Sequence, residues 1–402
     1  MALTTIQDVT AAAQKPAGPA IFSAGFRPFF LLASAWAAIA LPVWLCVYTG
    51  AVVLPSALPP VAWHVHEMIF GYAFATVAGF LLTAIPNWTG RPAVRGAPLA
   101  VLAGLWLAGR IAVLFSSFIG AHSAMLVDLA FPAAFTLVIA RELIAGRNWR
   151  NLPMLAALAL MFIGNAFVHL HVLGIAASAE AGNRLGLATI LALIALVGGR
   201  IVPSFTRNWL ARARPGGPLP AQADRLDMAA LLVTVAGLAA WAIVPAADIT
   251  RWMVLAAGAA TAFRLSRWCG LATVREPLVF ILHMGYGWLA LGLLLLGFNG
   301  LHALLPPTTA LHALTAGAVG TMTLAVMTRA TLGHTGQPLT AAGRGTPAIY
   351  ALVTLAALLR LGAPLAGEHA MDLTWAAGAA WSGAFGLFAV FYGKLLIRPR
   401  GM

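Results

Sequence analysis

The sequence predicts an all-α protein: a polytopic transmembrane helical bundle of about 12 spans. Three observations predict it. Of the 402 residues, 61% are hydrophobic and only 9% are charged, whereas a soluble domain carries about 25% charge. The apolar residues fall into runs of roughly twenty, which suits a membrane helix, because a membrane strand needs only about ten. The basic residues gather in alternate connections between those runs. A formal net charge of +13 raises nucleic acid as a partner. The arginines are scattered through short loops between apolar runs, which excludes it. The lipid bilayer is the expected partner, with no nucleic acid.

Residues 1–22 read as a short cytoplasmic tail, small and polar, with Asp8 and Lys15. They lack the basic start and apolar core of a cleaved signal peptide. Residues 23–402 read as a single transmembrane domain. Its spans are expected near 28–49, 64–86, 97–117, 122–142, 152–174, 184–206, 226–246, 250–269, 277–298, 308–330, 346–366 and 373–396.

The first span opens on Gly25-Phe26-Arg27-Pro28-Phe29-Phe30. The second opens on Trp63-His64-Val65-His66-Glu67-Met68 and closes on Pro86-Asn87-Trp88. The third and fourth carry Arg110 and Asp128, at similar depth if the two helices are antiparallel neighbours. The fifth ends in His169 and His171, and the sixth in a polar cluster of Arg200, Ser204, Thr206, Arg207 and Asn208. The seventh and eighth contain no histidine. The ninth carries His283 near Tyr286 and Trp288. The tenth opens on His312 and runs through Ala316, Gly317, Ala318 and Gly320, and the eleventh carries Arg360.

The connections set the orientation. Arg91 and Arg95, Arg141 to Arg150, Arg207 to Arg225, Arg264 to Arg275, Arg344 and Lys394 to Arg400 mark one side. The alternate connections hold only Arg184 and Arg251. Positive charge stays in the cytoplasm, so both termini are expected there. Cys46 and Cys269 then lie about 30 Å apart, too far for a disulfide.

Eight of the ten histidines fall in the outer half on this reading: His64, His66, His122, His169, His171, His302, His312 and His369. His283 and His334 are the exceptions. Imidazole binds haem iron or copper without adding charge, so it is the cheaper ligand to bury in lipid. The plainer reading, a histidine bonded to nearby backbone or resting at the interface, is strongest for His122, His302 and His369. Residues two apart on a helix point about 200° apart. His64 and His66 therefore either serve two different sites, or one of them lies in the entry turn. The same holds for His169 and His171.

Five stretches carry a resemblance to a known family: GFRPFF (25–30), WHVHEMIFGYAFATVAGFLLTAIPNWTGRP (63–92), GGRIVPSFTRNW (198–209), LHMGYGWLALG (282–292) and LHALTAGAVGTMTLAVMTRATLGHTGQPL (311–339). The chain resembles the NnrS family of haem- and copper-containing integral membrane proteins, associated with bacterial denitrification and nitric oxide stress. The resemblance implies haem b and copper as cofactors, nitric oxide or a nitrosyl species as ligand, and the bacterial inner membrane as location.

A weaker resemblance, to the catalytic subunit of haem–copper oxidases, implicates His66 and His312 as axial haem ligands. His64 is the rival to His66. Spans six and seven lack the histidines that hold copper in that superfamily, so its binuclear centre is absent as that family builds it. A second metal would draw on His64, His169, His171 or His283. Glu67 could orient a ligand histidine. Arg110 could pair with Asp128 or face a haem propionate, and Arg360 is the other propionate candidate. Small residues after His66 and His312, among them Gly71, Gly79, Gly317 and Gly320, could admit a macrocycle or simply pack helices. Two function classes stay open: a metal protein that binds or processes nitric oxide, and a transporter or channel with histidine relays. The electron donor is not legible.

Overall fold

The computed structural model describes residues 18–175, 178–302, 305–339, 343 and 345–399. The expected tail, 1–22, lies mostly outside them; its end, Ala20–Phe22, is a single 3₁₀ turn. Among the described residues, twelve long helices follow in the expected order: α1 Phe26–Tyr48, α2 Pro60–Thr89, α3 Ala97–Leu114, α4 Ala121–Ala145, α5 Leu152–Val172, α6 Ala179–Ala213, α7 Arg225–Ile243, α8 Asp248–Ser266, α9 Pro277–His302, α10 Pro307–Thr335, α11 Gly345–Gly362 and α12 Ala370–Ile397. No strand occurs among the described residues.

Eleven of these helices are long and apolar enough to cross a membrane by length and composition. The chain is a multi-pass membrane protein. The twelfth, α8, carries Asp248, Arg251 and Arg264, and neutralises them in pairs. Arg251 meets Asp248 at 2.9 Å within the helix, and Arg264 meets Asp227 of α7 at 3.4 Å.

Local chemistry sets the helix ends. Proline in the first turn opens α2, α3, α5 and α10, where its missing N–H costs nothing. Gly90 and Gly336, at φ 68° and 79°, stop α2 and α10 in the left-handed conformation that only glycine adopts freely. Asp224 caps α7 through the Asp227 amide. Its carboxyl, in the connection before that helix, is held well below the usual carboxylate range by hydrogen bonding from Arg267.

The first helix packs on the last. Arg27, buried at the start of α1, donates to the Leu395, Leu396 and Arg398 carbonyls at 3.2, 2.9 and 2.6 Å. It thereby satisfies carbonyls that the end of α12 leaves unpaired. Trp381 of α12 donates back to the Ala37 carbonyl at 3.0 Å.

Three helices contain a widened π turn: α2 at Glu67–Ala73, α6 at Ile194–Gly198 and α10 at Ala313–Gly320. A π turn loosens the ladder of backbone bonds, and in each case a side chain takes up a carbonyl there. Trp106 Nε1 donates to Gly71 O at 3.0 Å, Arg264 to Ala195 O at 3.0 Å, and Thr323 Oγ1 to Val319 O at 2.8 Å. α2 begins four residues earlier than the sequence suggests, so both His64 and His66 lie within the helix and neither is in an entry turn. The bundle has a histidine-rich end, where α2, α4 and α10 begin, and an arginine-rich end, where they finish.

Candidate metal centre

His66, Glu67, Arg110, Asp128, Asn165 and His169 form one buried polar cluster, contributed by α2, α3, α4 and α5. Helical spacing builds it. Asn165 and His169 stand four apart and share a face of α5. His66 is the last residue before the π turn of α2, and Glu67 is the first within it. Gly109 leaves the room that Asp128 fills, since a Cβ there would meet its Oδ1 at 2.7 Å.

The contacts are dense. Arg110 Nη1 donates to both carboxylate oxygens of Glu67, at 2.8 and 2.7 Å, and its Nη2 donates to Asp128 Oδ1. Asp128 Oδ2 accepts from Asn165 Nδ2 at 2.8 Å and meets His169 Nε2 at 2.9 Å. His66 Nε2 lies 3.2 Å from the same oxygen and 2.8 Å from Asn165 Oδ1. His66 Nδ1 lies 3.0 Å from Glu67 Oε1.

This arrangement has the form of a metal site. Ligand atoms from His66, Asp128 and His169 lie within 4.8 Å of one another, and all three residues are buried. Glu67 on the far nitrogen of His66 stands where a carboxylate fixes the tautomer and direction of a ligating imidazole. Charge counting points the same way. Two carboxylates face one guanidinium, so with neutral imidazoles the cluster holds one uncompensated negative charge. Burying such a charge is costly unless something offsets it. A bound cation or a protonated imidazole supplies that offset.

A second group lies at the histidine-rich end. The His64 ring stacks on Trp44 of α1, with centroids 4.1 Å apart, and its Nδ1 is buried without a partner. His64 lies within electrostatic range of His312 and Arg360, and Arg360 within range of Tyr48. His312 Nδ1 meets its own Thr308 carbonyl at 2.7 Å, which leaves Nε2 turned outward from that bond. An imidazole held in this way is set to bind a metal through Nε2.

The two histidines of α2 thus serve two different neighbourhoods. His312 lies within electrostatic range of His64 and Arg360. It places His66 in the buried cluster, with both ring nitrogens engaged. Arg110 is occupied by Glu67 and Asp128. On α5, His169 points into the cluster, while the exposed His171 lies on another face. The glycines expected to admit a macrocycle are filled instead by side chains. A Cβ on Gly317 would meet Trp288 at 2.7 Å, on Gly320 Trp381 at 2.6 Å, on Gly79 Phe30 at 2.7 Å, and on Gly71 Arg110 and Glu67 at 2.9 Å. These glycines serve helix packing.

His283 belongs to neither group. Its Nε2 bonds Thr206 Oγ1 of α6 at 2.8 Å, and its Nδ1 is buried against Gly270 without a partner. The Arg264 and Tyr286 side chains meet near it at 2.7 Å. His122, His302 and His369 are exposed. Sequence reasoning passed over Asn165 and Trp44. The four-residue spacing of Asn165 to His169 was a signal for the first; nothing in the sequence marked the second.

Comparison with the curated proteins finds no match. A family model described as NnrS protein matches residues 20–400, nearly the whole chain. The chain belongs to the NnrS family.

Proposed function

We propose that this protein is a haem- and copper-binding membrane protein that acts on nitric oxide or nitrosyl species in nitrosative stress or denitrification. On this reading it sits in the bacterial inner membrane with both termini and the arginine-rich end in the cytoplasm. The observation that carries the proposal is the convergence of His66, Asp128 and His169 within 4.8 Å. Two imidazoles and a carboxylate suit copper(II), which such a site would hold as a Lewis acid or redox partner for a small ligand. A haem b would be held by His64 and His312, with Arg360 available to a propionate. The unpartnered Nδ1 of His64 and the Thr308-anchored ring of His312 support this pairing.

Two histidines and one carboxylate are also the donors of non-haem iron(II), and metal analysis decides between the metals. The experiment is metal analysis and an absorption spectrum of purified variants, recorded before and after addition of nitric oxide. His64→Ala and His312→Ala are expected to lose the low-spin haem spectrum and keep copper. His66→Ala and His169→Ala are expected to lose copper and keep the haem. Haem loss in His66→Ala with an unchanged spectrum in His64→Ala would reverse the assignment. Iron in place of copper would give the centre to non-haem iron. A wild-type protein free of both metals, with no spectral response to nitric oxide, would sink the proposal.

A further inference from the structure

The three helices with π turns enclose an apolar cleft of about 80 Å³. It runs between α2, α6 and α10, with Met154 of α5 at one side. Val77, Phe80, Val197, Ile201 and Val326 line it and are only half-buried, so it opens sideways toward lipid. Its two hydroxyls, on Thr76 and Thr323, are spent on their own helix backbones at 3.3 and 2.8 Å. The cleft therefore offers no free hydroxyl donor to an occupant. It is smaller than the ~150 Å³ cavity that takes up benzene, which suits part of a flexible alkyl chain better than a ring system.

Two arginines stand at its arginine-rich end. Arg200 follows Val197 by three residues on α6 and adjoins Ile201, so it lies on the flank of the lined face. Arg150 precedes Met154 by four residues, in the 3₁₀ turn that leads into α5. The two lie close enough for their like charges to act on one another. Both are exposed, and among the described residues neither forms an ion pair with a carboxylate. Trp149, 58% exposed beside Arg150, is an aromatic of the kind that anchors at headgroup level. Two like charges this near repel, to the extent that solvent and salt leave them unscreened. A shared anion removes that repulsion, and guanidinium recognises phosphate in a bidentate manner.

We propose that this cleft is a binding site for one anionic phospholipid. Its phosphate lies between Arg150 and Arg200, and one acyl chain follows the apolar wall of α6 toward the π turns. The site lies apart from both histidine groups and does not depend on metal content.

Native mass spectrometry of the full-length protein tests this, after release from phosphatidylcholine nanodiscs with and without phosphatidylglycerol. One phosphatidylglycerol should be retained per chain. Its preference over phosphatidylcholine should be about thirtyfold, from about 1 kcal/mol for each arginine at about 1.4 kcal/mol per tenfold. The Arg150→Gln/Arg200→Gln variant should lose the preference while remaining folded by circular dichroism. Val197→Trp should lower retention by filling the cleft, with both arginines in place. Equal retention of the two lipids by the wild type would overturn the proposal, as would an undiminished preference in the double variant. Inorganic phosphate that displaces the lipid as well as phosphatidylglycerol itself does would reassign the pair to a free anion.

Discussion

Asp128 is the residue on which the buried cluster converges. Arg110, Asn165 and His169 all bond its carboxylate, and His66 lies 3.2 Å from it. Removing it leaves Arg110 paired with Glu67 alone and takes the acceptor from Asn165 and His169, whereas removing Arg110 leaves two buried carboxylates without their cation, and breaking a buried pair in that way costs about 3–5 kcal/mol. Arg110→Ala should destabilise the protein by that order, and Asp128→Ala by less, because Glu67 still pairs Arg110. The double variant should fall well short of the sum, as denaturant unfolding in detergent would measure. Additive losses would show that the two side chains do not act as a unit. Their pairing was legible in the sequence, because Arg110 is the lone charge of its span and Asp128 the one charge near that depth in the adjacent antiparallel span. The rest was harder to read. Asn165 carries no charge, so nothing in its apolar span marks it out beyond its spacing to His169. His64 and His66 differ by only two positions, and sequence resemblance favoured His66 as the partner of His312. His64 lies within electrostatic range of His312 while His66 sits in the buried cluster, because the two lie on one regular helix and point to different neighbours.

At the scale of the element, the π turn of α2 holds Glu67 beside His66 and turns Gly71 O toward Trp106. Trp106→Phe keeps the ring and removes the donor. A buried carbonyl left unpaired costs about 1–3 kcal/mol. The variant should be destabilised by that amount and should bind metal more weakly, as thermal unfolding and metal analysis would reveal. Unchanged stability would mean that the indole does not hold the turn. None of the three π turns was legible. An extra residue per turn shifts the apolar face of an amphipathic helix, but these segments are apolar on nearly every side and have no face to shift. The helices themselves were legible, because their lengths answer directly to the thickness of a bilayer.

For the whole molecule, the charge pattern of the connections predicts a single orientation. Reporter fusions at Gly217, before α7, should read cytoplasmic, and fusions at Gly174, after α5, should read external. The reverse pattern would exchange the two ends of the bundle. The chain order of the two histidine groups has a further consequence, one of timing. Every residue of the buried cluster lies in α2 to α5, whereas His312 arrives only with α10. At ~5–20 residues per second, a ribosome takes on the order of ten seconds to travel from His169 to His312. The acid–imidazole cluster can therefore close while the second half of the chain is still being made, but His64 must wait for its partner. A nascent chain stalled after α5 already contains a complete set of buried donors, and only the finished protein contains both histidine groups.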